Sequence, residues 1–250
     1  MKIMKNQKKT PGEKRQARTS APMTAQAIGL DPALYAAALR YLFDRPVPGK
    51  KEQEWYWDFD EPEFVATPLE WTRIQTVLFA NAGVDLAPYG NQQVGMGLNH
   101  VMSNNAGNIP HMAVDASVPL ADAMQMMQAF PSLWRDCIGP RLDQAEVAGD
   151  TDSVTRLDFV CHMWFDVWPT FWNARHIPEW RDAQWQVLCE MLDMPCREVQ
   201  RSALHGIGHS VRYLQRDEVV RQRIARFVDA VKSDTELASY ALAAAAGMVQ

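Results

Sequence analysis

His205 and His209 form the sharpest chemical pair in the chain, set four residues apart in the stretch Pro195–Leu214. At about 100° per residue, positions i and i+4 share one face of a helix. Two imidazoles so placed are how a helix offers two ligands to a metal. The zincin motif HExxH would need a glutamate where Gly206 stands. A metal also needs a third ligand; by residue type His162, His176 and Cys189 are candidates. The same helix face carries Glu198, Arg201, Ser202, Arg212 and Arg216. Arginines repel a metal ion and suit a carboxylate or phosphate instead. The plainer reading is a structural or solvated histidine pair, with Gly206 and Gly208 letting a second helix come close.

Three other groups have chemistry-bearing residues. Arg197, Arg201, Arg212, Arg216, Arg221, Arg223 and Arg226 are opposed only by Glu198, Asp217 and Glu218. They read either as a salt-bridged solvated face or as a basic strip that meets an acidic patch on a protein partner. Trp164, Phe165, Trp168, Phe171, Trp172, Trp180 and Trp185 form an aromatic connector. Its plain role is core packing; its functional role would be an aromatic pocket or a hot-spot patch centred on Trp164, Trp168 and Trp172. Asn99, His100, Asn104, Asn105, Asn108, His111 and Asp115 are the ingredients of a polar pocket, with His111 and Asp115 as a conceivable acid–base pair. Loops and caps use the same residue types.

The elements that must position these groups are helical. Asp31-Pro32 and Thr67-Pro68-Leu69-Glu70 are helix starts, the second a capping box. The Thr67 helix is expected to run to about Ala82 with Gly83 as its cap. Further helices are expected over about 92–103, 117–144 with breaks at Pro131 and Gly139-Pro140, 153–167, 179–193, 196–214, 217–231 and 234–247. The aromatic and acidic run Glu54–Asp60 reads as a loop pinned by its rings. No strand alternation is apparent. Residues 1–25 read as a disordered basic tail. The rest divides into an N-terminal helical part, 26–148, and a C-terminal part, 149–250, which together form one continuous helical domain.

Charge and motifs narrow the function classes. The net charge of −5 hides five Lys and two Arg against one Glu in residues 1–20, which leaves −11 for the rest. An acidic body argues against nucleic-acid binding. Four cysteines without a CxxC spacing read as reduced thiols, no apolar run is long enough to span a bilayer, and the cytoplasm is the expected location. No P-loop, GxGxxG, GxSxG, cysteine quartet or EF-hand loop is present, so no cofactor is expected.

The apolar pattern Val199, Ala203, Ile207, Val211, followed by Val220–Val231 and Leu237–Ala246, resembles HEAT-like and armadillo-like helical repeats over about 180–250. That resemblance implies stacked α-hairpins, as a superhelix or an irregular bundle, and partner binding in place of catalysis. The leading expectation is therefore a non-enzymatic, all-α protein-binding module using His205, His209, Arg201, Arg212 and Arg216 or the Trp-rich connector. A bacterial toxin-neutralising immunity protein is one analogy of that kind. The alternatives are a metal-binding protein or metal-dependent enzyme built on His205 and His209, and a small-ligand binder with an aromatic pocket. Oligomeric state is not legible.

Overall fold

The computed structural model describes residues 22–49, 51–58 and 60–249. Most of the segment expected to be disordered lies outside these residues. Its end does not behave as expected: Asn81 holds Met23 through two hydrogen bonds of 3.0 and 2.7 Å, and Ala25 is buried.

Among the described residues, every regular element is a helix. The α-helices are α1 (Pro32–Phe43), α2 (Pro68–Asp85), α3 (Asn91–Met102), α4 (Leu120–Leu133), α5 (Gly139–Ala148), α6 (Thr155–Val167), α7 (Pro169–Asn173), α8 (Pro178–Leu192), α9 (Arg197–Leu214), α10 (Asp217–Ala230) and α11 (Thr235–Ala245). The caps act as the residue types require. Asp31 Oδ1 accepts from the Ala33 N–H at 2.8 Å, and Thr67 and Glu70 close a reciprocal capping box.

Two expected stops are not stops. Helix α2 continues through Gly83 to Asp85, because Gly83 faces a neighbour: a Cβ there would lie 2.7 Å from the Asp136 carbonyl. Pro131 sits inside α4, and a π-helical turn over Trp134–Ile138 carries the chain directly into α5.

The aromatic connector is core. Phe79 of α2, Phe130 of α4, Trp134, Trp164 of α6, Trp168 and Phe171 are fully buried and meet largely edge to face, with centroids 4.9–6.4 Å apart. Trp164 and Trp168 are therefore not available to a partner, which corrects the surface-patch expectation for them; Trp172 alone of the three is exposed, beside the Arg175 guanidinium. This core crosses the 148/149 boundary, joining both parts of the chain.

Helix α9 packs against α6, α8 and α11. On the α6 side Glu198 meets His162, Ser202 Oγ donates to the Cys161 carbonyl at 2.5 Å and His205 meets Asp166. On the α11 side Arg197 pairs with Asp234 and His205 meets Tyr240. Along α9 the partners advance from His162 and Cys161 to Asp166 on one side and from Asp234 to Tyr240 on the other, so α6 and α11 run parallel to it, and α8 and α10 are the returning segments. The helical wheel sets His205 and His209 nearly opposite the apolar stripe Val199, Ala203, Ile207, Val211 and Leu214; the enclosure corrects the open polar face this implies at His205, while His209 stays exposed. Beyond the apolar stripe, Ser202, Leu204, His205, Gly206, Gly208 and Ser210 are also buried.

Candidate metal centre

Helix α6 places Asp158, His162 and Asp166 at successive i+4 positions, on one face. Helix α9 places Glu198, His205 and His209 opposite them. The parallel seam sorts these six side chains into two stations, each able to bring three ligand atoms together.

At the first station, Asp166 reaches both imidazoles that the sequence singled out. Its Oδ2 lies 2.8 Å from His205 Nε2 and its Oδ1 lies 2.6 Å from His209 Nε2. The two Nε2 atoms are 3.1 Å apart. The Tyr240 hydroxyl of α11 lies 2.7 Å from His205 Nδ1. With Nδ1–H donating to that hydroxyl, Nε2 keeps its lone pair and the ring orientation is fixed. Access differs across the site: the His205 side chain is 11% exposed, Asp166 21% and His209 37%. Burial holds the His209 pKa below the usual histidine value; the Asp166 charge pulls it up and His205 pushes it further down.

The second station has similar parts and different chemistry. His162 Nδ1 faces Asp158, with its carbonyl oxygen at 3.0 Å and its Oδ1 at 3.3 Å, and Nε2 faces Glu198 Oε2 at 3.2 Å. Hydrogen bonds to Asp158 and then Glu198, opposed by burial, raise the His162 pKa to about 10. Both ring nitrogens face carboxylates, an arrangement that favours the protonated ring. Protonated, the ring is the cation of its own station, bridging two helices. Glu198 is lowered in turn, chiefly by the His162 hydrogen bond.

The other residues marked from sequence are scattered. His176 and Cys189 do not reach the His205/His209 pair; Cys189 lies beside Arg223 on α10, which donates to its carbonyl at 3.2 Å. Most of the arginine run is paired: Arg197 with Asp234 and Glu236, Arg216 with Asp182, Arg221 with Glu218 and Arg223 with Asp193. Arg201 lies over the Tyr240 ring at 5.8 Å, and Arg212 is exposed. Asp115 is engaged with Ser117, accepting from its N–H and its hydroxyl in a local turn. The two participants missed from sequence are Asp166 and Tyr240. Asp166 had a signal, the Asp-x3-His-x3-Asp stripe over 158–166. Tyr240 had none, because only the packing of α11 brings it to His205.

No family model matches this chain, and neither curated proteins nor solved structures give a match.

Proposed function

We propose that the protein binds a divalent first-row transition ion, such as Zn2+, through Asp166, His205 and His209. The observation that carries this is the convergence of one carboxylate and two Nε2 atoms on one point. Two ligands about 2.05 Å from a tetrahedral zinc stand roughly 3.3 Å apart. The donor separations here, 2.6–3.1 Å, are all shorter, as suits groups now sharing a proton, and the carboxylate must draw back by more than half an ångström from His209 to admit an ion. Two Nε2–H groups aimed at each other would collide at 3.1 Å, and three bare lone-pair sites would repel; a single shared proton relieves this in the empty site, and a cation can take that proton's place. Two imidazoles and one carboxylate suit zinc or ferrous iron, and three protein ligands leave a coordination position open on the His209 side. The Tyr240 hydroxyl takes the outer-shell place that a carboxylate, backbone carbonyl or water ordinarily fills beside such a histidine.

The same surface offers an acidic protein partner less, since most of the arginines already have carboxylates. The HEAT-like reading of 180–250 belongs to this proposal as its scaffold. Parallel α9 and α11, with α8 and α10 as returns, is the order that stacked hairpins need.

Equilibrium dialysis with Zn2+ and visible spectroscopy with Co2+ test the ion. The expected result is one ion per chain, with the intense absorption of a low-symmetry cobalt site. His209→Ala, at an exposed position, should abolish it. Tyr240→Phe should weaken Zn2+ binding about tenfold by loosening the His205 ring. Absence of stoichiometric metal in the wild type, or equal binding by His209→Ala, would overturn the proposal.

A further inference from the structure

Away from the proposed metal centre, α1, α3 and the 54–66 segment surround a cavity of about 540 Å3. That is within the size range of small-molecule sites. Tyr41, Trp55, Tyr56, Trp57, Phe64 and Trp71 line it. These rings keep open surface: Trp57 is 38% exposed, and Tyr41, Trp55, Tyr56 and Phe64 are half-buried.

The rings meet at steep angles. Tyr41 and Trp55 stand at 76°, Tyr56 and Trp57 at 65°, and Phe64 and Trp71 at 65°, with centroids 4.9–5.4 Å apart. Two rings set edge to face make a corner bounded by a face of each, and those faces are the negative parts of the rings. One corner already holds a cation. The Arg45 guanidinium lies 4.5 Å from the Trp55 ring centre and 5.0 Å from that of Tyr41, and pairs with Glu61 at 2.6 Å. Arg45 stands outside the cavity, and no lysine or arginine lines the space. Among the described residues, no cation lies over Tyr56, Trp57, Phe64 or Trp71.

Charge at the open side favours a cation as well. Asp58 and Glu63 line the cavity and are exposed, and neither has an ion-pair partner among the described residues. A negative mouth raises the local concentration of cations, and aromatic faces hold them.

The polar groups of the walls decide which cation. The Tyr41 hydroxyl is bonded to the Phe64 backbone, and the Tyr56 hydroxyl accepts from Asn99 at 2.9 Å. Trp55 Nε1 and His100 Nδ1 are sealed off by burial and cannot meet a ligand. The walls therefore offer ring faces and little to receive an N–H. A primary ammonium entering here gives up hydrogen bonds to water that it does not regain. A quaternary ammonium has none to give up.

We infer that this cavity binds a small molecule through a quaternary ammonium head. The methyl groups lie against Tyr56, Trp57 and Phe64, and Asp58 and Glu63 match the charge. A carboxylate on the same molecule meets the wrong charge at the mouth, so the class is cationic and not zwitterionic.

Calorimetry at low salt with three probes tests this: choline, ethanolamine and 3,3-dimethylbutanol, in which carbon replaces the quaternary nitrogen. Choline should bind one to one, with a Kd below ~1 mM. Ethanolamine lacks the methyl groups and dimethylbutanol lacks the charge; each should bind at least about tenfold more weakly. Asp58→Asn with Glu63→Gln, both at exposed positions, should weaken choline severalfold and flatten its salt dependence. Trp57→Ala should weaken choline about tenfold. An unchanged urea midpoint would show that the fold is kept; if that variant does not fold, the rim variant and the probe series still decide. No choline binding, either control binding as tightly, or a rim variant indistinguishable from the wild type would each overturn the inference.

Discussion

Three of the chain's histidines show how neighbours, more than residue type, decide what an imidazole does. His162 sits between two carboxylates and holds its proton. His205 and His209 share one carboxylate and face each other. The difference predicts a pH signature. With its folded pKa raised to about 10 from an ordinary 6.5, His162 contributes stability that is complete below about pH 6.5 and is lost as pH rises through 10. Urea midpoints at pH 7 and pH 10.5 should therefore fall further in the wild type than in His162→Gln, where no such proton is lost. Equal alkaline slopes would show that the bridge contributes nothing. Glu198 works in the opposite sense: its lowered pKa adds stability above the usual glutamate range that fades as pH falls. At this scale the sequence exposed the pair and hid the centre. His205 and His209 announce themselves by spacing. Asp166, 39 positions before His205, needs the register of two separate helices.

At the scale of the element, α9 depends on its glycines in unequal ways. A Cβ at Gly206 would come within 2.7 Å of Leu188 Cδ2 and 2.8 Å of Phe165 Cγ, both belonging to buried or nearly buried side chains of flanking helices. A Cβ at Gly208 would overlap the side chain of Val249, next to the end of the chain and partly exposed. Gly206→Ala should cost about 1–3 kcal/mol through overpacking, although alanine is the better helix former. Gly208→Ala should cost well under that, since Val249 has room to turn. Chemical denaturation of the two variants checks this, and equal losses would contradict the packing account. Helix starts were legible because Asp31 and Thr67 act locally, through atoms two or three residues away. Gly83 was misleading for the opposite reason: a glycine that ends a helix and one that admits a neighbour look the same in a sequence, and the neighbour here is Asp136.

For the whole molecule, one aromatic core ties α2 and α4 to α6 and α7, so the parts 26–148 and 149–250 share an interior. Trp168, in contact with Phe79, Phe130, Trp164 and Phe171, stands at the junction. Trp168→Ala should lower stability by about 3–5 kcal/mol. Near-ultraviolet and far-ultraviolet circular dichroism should also report one coincident unfolding transition in both wild type and variant. Two separated transitions would mean that the parts fold independently. The helical class was readable from the sequence; the order in which helices pack was not, because nothing local says that α6 should lie beside α9.

That parallel order also sets when the proposed metal centre can form. Parallel neighbours cannot be joined by a tight turn, and 29 residues, including α7 and α8, separate Val167 from Arg197. The chain must travel out and back before Asp166 meets His205, and closing so long a loop is entropically costly until the intervening helices have docked. The three ligands thus come together after most of the surface is already buried. An ion held there acts as a latch on the finished molecule: it slows escape from the native state and leaves the rate of arrival unchanged.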